Sequence, residues 1–90
     1  MAEFLHIYVS PKEGVTRDEI EEKLNLAIDW YRYAPGLYIV RTTSSVGKWK
    51  VRLVDFVKPK GRLLIMRVDM SQRQGWMNKD FWEWLGKIRT

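Results

Sequence analysis

The chain predicts an α+β domain: a four-stranded antiparallel sheet, two helices on one of its faces, and a further helix added at the C-terminus. Three observations carry this expectation. Phe4–Ser10 alternates apolar residues with the period of a strand, Val15–Ile20 carries a helix start signal, and strand-type and helix-type segments then follow in a fixed order. Ninety residues make one domain, residues 1–90, near the lower size at which a single core is sufficient.

In the first segment, FLHIYVS, Leu5, Ile7 and Val9 alternate with Phe4, His6 and Tyr8. The loop PKEG leads into a helix. Thr16 is placed to cap it, Glu19 to reach back to the cap, and Val15 and Ile20 to form a hydrophobic staple. Ile20, Leu24 and Ala27 then share one face while Glu21, Glu22 and Lys23 turn to water, and the helix is expected to end near Leu26 or Ala27.

Ile28–Thr43 reads IDWYRYAPGLYIVRTT. Trp30, Tyr31, Tyr33, Tyr38, Ile39 and Val40 favour strands, and Pro35-Gly36 suits the centre of a type II turn. Because a two-residue hairpin prefers a primed turn, a longer or bulged connection is expected.

Residues 44–57 admit two readings. On a helical wheel Val46, Trp49, Leu53, Val54, Phe56 and Val57 fall within an arc of roughly 160°, with Lys50 intruding and Val51 left outside. As a strand, Lys48–Leu53 alternates but loses phase at Val54 and needs a bulge. The helix, capped by Ser44 or Ser45, is the favoured reading. GRLLIMRVD is then a strand from Leu63 to Asp69, and after SQRQG a last helix begins near Asn78, with Met77, Phe81, Trp84, Leu85 and Ile88 on one face and Trp82 widening it. The resulting order β-α-β-β-α-β, plus a C-terminal helix, is ferredoxin-like.

Composition narrows function. Hydrophobic residues make up 46% of the chain, with five Trp, four Tyr and three Phe, so it is not a disordered segment. No cysteine is present, which suits a reducing cytoplasm, and no stretch reads as a signal peptide or a membrane span. We expect a cytoplasmic chain with no membrane partner and no cofactor. With no Cys and one His, neither a zinc site of His and Cys nor a Cys-His nucleophile can be assembled within one chain. Ser44-Ser45-Val46-Gly47-Lys48 resembles a phosphate loop but lacks its glycine spacing, leaving at most a weak anion site at a helix N-terminus. Asp69 ends a strand, yet no second carboxylate stands near it in sequence. No catalytic residue is assigned.

Charge is distributed unevenly. Residues 1–40 hold four Lys/Arg against seven Asp/Glu, residues 41–90 hold twelve against four, and the net charge is +5. A basic half of this kind fits a polyanion such as DNA or RNA. Strand parity suggests a first candidate surface. If Leu5, Ile7 and Val9 face the helices, Phe4, His6 and Tyr8 face away. In the strand after Gly61 the wholly apolar parity of Leu64, Met66 and Val68 is the expected core, which sends Leu63, Ile65 and Arg67 outward. Arg41 would go outward with Leu37 and Ile39, and Arg32 with Ile28 and Trp30. Rings interleaved with Arg32, Arg41 and Arg67 would suit single-stranded nucleic acid. Against this, so apolar a face is better buried, either under the last helix or against a second copy. Lys48, Lys50, Arg52, Lys58, Lys60 and Arg62 form a second basic candidate along the second helix and its exit loop, suited to phosphate contact without base readout.

Trp30, Tyr38-Ile39-Val40-Arg41-Thr42, the helix that follows, and Leu63-Leu64-Ile65-Met66-Arg67-Val68 together resemble the SinR-like and VapD-type relatives of the small CRISPR spacer-integration subunit, over about two thirds of the chain. The resemblance implies a ferredoxin-like fold and a homodimer. In nuclease members of that group an acidic residue at the end of the first strand is expected to hold a metal. Here the position falls at about Val9-Ser10-Pro11, with no carboxylate, so metal-dependent ribonuclease activity is only what the resemblance would imply if the chain were an enzyme. The leading expectation is a small noncatalytic protein that binds DNA or RNA through its basic surface. The alternative is a protein-interaction module, such as an antitoxin-like, phage-borne or defence-system accessory factor, whose contact is made by Phe81, Trp82, Trp84 and Leu85.

Overall fold

Leu5, Ile7 and Val9 are buried on one side of strand β1 (Glu3–Ser10), which occupies the interior of the sheet. The structure, a computed structural model, describes residues 1–88. After β1 comes helix α1 (Arg17–Leu24). Thr16 Oγ1 accepts from the Glu19 N–H at 3.2 Å, and the Glu19 carboxylate accepts from the Thr16 N–H at 2.7 Å, which closes both halves of the capping box. That second bond, to the backbone of Thr16, holds the Glu19 carboxyl below its ordinary range.

α1 ends at Leu24, short of the expected Leu26 or Ala27. The reason lies in Asn25. Its N–H caps the carbonyls of the last turn, and its Oδ1 accepts from the Trp30 indole N–H at 2.9 Å, so the chain bends at once toward the next strand. Leu26 and Ile28 are left more than half exposed.

β2 (Asp29–Ala34) and β3 (Leu37–Thr42) form the hairpin. Gly36 has φ +74°, and a Cβ there would come within 2.6 Å of the Val9 carbonyl oxygen, so both conformation and space require glycine. The expected irregularity is present as a register shift between Arg32 and Ala34. The helical reading of residues 44–57 is also correct: α2 (Val46–Leu53) is capped by Ser45, whose Oγ accepts from the Lys48 N–H at 3.2 Å, and a 3-10 turn (Val54–Phe56) follows. Trp49 and Leu53 are fully buried, while Val51, outside the apolar arc, is 74% exposed.

β4 (Arg62–Val68) completes an antiparallel sheet in the order β2-β3-β1-β4, the ferredoxin-like arrangement. Its parity reverses the expectation. Leu63 and Ile65 pack against the helix-side core, whereas Leu64 and Met66 are 50% and 45% exposed. Register supplies the reason: Ile65 lies opposite Ile7 and Leu63 opposite Val9, and residues opposed across strands point to the same face. Arg67 shares that parity at the end of the strand, where its guanidinium reaches Glu3 at 2.9 Å instead of entering the core.

α3 (Lys79–Ile88) lies across the other face of the sheet. Phe81 and Leu85 are buried there with Ile39, and Phe4, Tyr31, Tyr33, Met77, Trp82 and Trp84 pack around them. The last helix therefore covers the open face, the first of the two expected solutions; the side chain of Ile88 lies outside the described part. No helix among the described residues is long and apolar enough to cross a membrane.

Thr42 is the one polar side chain in the buried set of the described residues. Its Oγ1 accepts from the Trp49 indole N–H at 3.1 Å and from the Ser44 N–H at 3.0 Å, tying α2 to the end of β3. Thr42→Val keeps the shape but strands a buried indole N–H, and is expected to cost about 1–3 kcal/mol in urea unfolding. Thr42→Ser, which retains the acceptor, should lose less; equal losses for both would show that the hydroxyl is not what matters.

Candidate functional site

The aromatic residues of the first candidate surface are mostly turned inward. Under α3, Phe4 meets Trp84 edge-on at 6.4 Å between ring centroids, and Tyr31 meets Phe81 at 5.4 Å. Trp30 is on the opposite, helix-covered face, edge-on to Tyr38 at 5.7 Å. Arg32 is on that face as well. Trp30 pairs with Val40 and Arg32 with Tyr38, both buried partners on the helix side, so the expected outward placement of Trp30 and Arg32 is corrected by the β2–β3 register. Arg67 is likewise on the helix side, opposite Leu5. Of the three arginines only Arg41 belongs to the open face, across from Phe4 on one side and Asp29 on the other. A platform of alternating rings and arginines is therefore not formed.

Arg32 is held in an internal cluster. The Glu21 carboxylate accepts from its guanidinium and, at 2.8 Å, from the Tyr38 hydroxyl. The bond to Glu21 raises the Arg32 pKa further above its already high value. Burial first, and the neighbouring Glu21 second, push Tyr38 up to about 12.

The second basic surface is more available. Lys48 and Lys50 on α2, Lys58 and Lys60 in the loop after it, and Arg62 at the start of β4 are all exposed. None of the five makes an ion pair among the described residues. Arg52 differs from them: it donates to Ser44 Oγ at 3.1 Å and lies 4.6 Å over the Trp49 ring, so it is pinned to the helix by its own neighbours. The N-terminus of α2 is partly satisfied already by Ser45, and Asp69 accepts from Ser71 N–H and Oγ at 2.9 and 2.6 Å as part of a turn.

Of the four residues proposed for a protein contact, Phe81 and Leu85 are buried within the chain itself, while Trp82 and Trp84 keep partial exposure. Among the described residues no three His, Cys, Asp or Glu side chains come together as a metal-ligand set.

Two features had no counterpart in the sequence reading. One is a groove of about 410 Å³ between α2 and β4, lined by Val46, Gly47, Lys50, Val54, Leu63 and Ile65 among others. Its only trace in the sequence was Lys50 intruding on the apolar arc of α2. The other is a polar pair on the α3 side: His6 Nε2 is hydrogen-bonded to the Tyr33 hydroxyl, while His6 Nδ1 is buried with no partner. An unpaired acceptor costs less than an unpaired N–H, so the arrangement favours the tautomer in which Nε2–H donates to Tyr33.

Comparison with protein families, with curated proteins and with solved structures finds no match to this chain.

Burial lowers the His6 pKa from its ordinary 6.5, so folding favours the neutral ring. Below about pH 6.5 the unfolded chain takes up this proton more readily than the folded one, and stability falls with pH; above it the contribution is complete. The groups facing the ring, Tyr33, Ile39 and Met66, carry no charge that would reverse this sign. Urea midpoints measured between pH 7.5 and 5 should therefore decline for the native chain and stay flatter for His6→Gln. Parallel declines would assign the effect to other groups.

Proposed function

We propose that this chain is a small noncatalytic protein that holds the phosphate backbone of DNA or RNA along α2 and its exit loop. The observation that carries the reading is the set of five exposed cations, Lys48, Lys50, Lys58, Lys60 and Arg62, with no ion-pair partner among the described residues. Such cations gain by displacing the counterions condensed on a polyanion, whereas cations already paired within the protein must first break that pair. Arg32 and Arg67, held by Glu21 and Glu3, and Arg52, held by Ser44 and Trp49, are peripheral to the contact for this reason. Arg41 stands on the other face and is a separate, lesser contact.

Contact of this kind positions a backbone without reading bases, so the proposal is for binding that tolerates sequence. A cytoplasmic setting and kinship with the SinR-like and VapD-type group belong to the same proposal. That kinship rests on the sequence resemblance, and the missing carboxylate at Val9-Ser10-Pro11 is why no reaction is included.

The test is fluorescence anisotropy with a short single-stranded RNA and a short DNA duplex across a salt series. Affinity should fall steeply with salt. Reversing Lys48, Lys58 and Lys60 together to Glu should weaken binding by at least about tenfold at low salt and lower the slope of log K against log salt by about two to three. Salt-independent binding, or an unchanged slope in the variant, would sink the reading.

A further inference from the structure

The two edges of the sheet are treated differently. β2 carries the register shift between Arg32 and Ala34, and residues of α3 pack onto its Tyr31 and Tyr33. A bulge and a covering helix both discourage another strand from pairing. β4 has neither protection. Its register against β1 runs unbroken from Arg62 to Val68, it contains no proline, and among the described residues no strand pairs with its outer side. Both faces beside this edge are apolar. On the helix side Leu63 and Ile65 continue into the α2–β4 groove with Val46 and Val54, and on the other side Leu64 and Met66 are half exposed. Lys50 lines the groove, Arg62 opens the strand, and no carboxylate is among the groove's lining residues.

We propose that β4 accepts an extended acidic peptide of another protein as a fifth strand, with alternate apolar side chains entering the α2–β4 groove and carboxylates meeting Lys50 and Arg62. Main-chain hydrogen bonds along the edge supply affinity, and the groove selects one parity of side chain. The seven residues of β4 offer about 23 Å of edge at roughly 3.3 Å per residue. Charge chooses the occupant. A second copy pairing β4 to β4 in antiparallel register would bring the Lys50 side chains of both copies toward one seam, where no carboxylate lines the groove, and like charges brought together in this way are destabilising. Nucleic acid has neither a strand-like row of N–H and C=O groups nor apolar side chains for the groove. This inference goes beyond the polyanion reading and does not depend on it: Lys50 and Arg62 serve both, but the edge of β4 and the groove belong to this one alone.

The experiment uses a fluorescein-labelled peptide of seven residues, Glu-Val-Thr-Val-Thr-Val-Glu, and two versions N-methylated either on the valines or on the threonines. Successive N–H groups of a strand point to opposite edges, so only one of the two methylated peptides should lose the bonds to β4. We expect saturable binding of the parent, about tenfold or greater weakening for one methylated version, and a change within about threefold for the other. Lys50→Glu combined with Arg62→Glu should weaken the parent by about tenfold while the variant keeps its thermal midpoint. Amide resonances of Leu63–Met66 should shift on binding. Equal binding of both methylated peptides, absence of saturation, shifts confined to other surfaces, or a dimer that occupies β4 and excludes the peptide would each overturn the proposal.

Discussion

β1 is the strand on which the remaining structure depends, because each of its faces commits a different part of the chain. Leu5, Ile7 and Val9 set the parity of both neighbours, so Tyr38 and Val40 on β3 and Leu63 and Ile65 on β4 must face the same helices. A slip of one residue in either pairing would turn every one of these side chains to the wrong layer. The opposite parity begins with Phe4, which is covered by α3 together with Ile39, Tyr31 and Tyr33.

The two layers are not equal. The helix-side core joins ten buried residues from β1, β3, α1, α2 and the turn after α2, whereas the α3 side has three among the described residues, Ile39, Phe81 and Leu85. The α3 layer also contains two buried nitrogens without partners among the described residues, His6 Nδ1 and Trp84 Nε1. Unsatisfied groups of this sort reduce what burial contributes. Loosening of α3 should therefore need less free energy than opening of the helix-side core, in keeping with the graded stability of cooperative units. Tyr31 helps to hold the layer, through its rings contacts with Phe81 and Trp84 and a 3.2 Å hydrogen bond to Asn78, at the head of α3.

Legibility in the sequence followed the range of the interaction. Features fixed within a few residues were read correctly: the capping box of Thr16 and Glu19, the cap of α2 at Ser45, the turn at Gly36 and the irregularity beside it. The face of β4 and the side taken by Trp30 and Arg32 were misread, because strand parity is settled by a register partner that lies many residues away. Arg67 was decisive in that error. As a charge in the parity of Leu63 and Ile65 it made Leu64 and Met66 look like the core, although a residue at a strand's end can turn to a carboxylate such as Glu3 while its apolar companions stay partly buried. The α2–β4 groove has the same origin: neither segment signals it alone.

The sequence asymmetry of charge becomes a lateral asymmetry in space. α1 carries Asp18, Glu19, Glu21 and Glu22 against Arg17 and Lys23, and α2 with its exit loop carries Lys48, Lys50, Arg52, Lys58 and Lys60 against Asp55, while both helices pack on the same face of the sheet. α1 and α2 touch, so the boundary between the two fields lies between them and the positive field opens toward α2 and the β4 edge. Arg32 is paired with Glu21, so it adds no free cation to the α1 side. Charges of this kind act over about 10 Å at moderate salt, so the sides of α1 and α2 differ in their local electrostatic surroundings. The apolar edge of β4 lies on that basic side, so the least protected hydrogen-bonding row among the described residues borders the exposed cations of α2 and its exit loop.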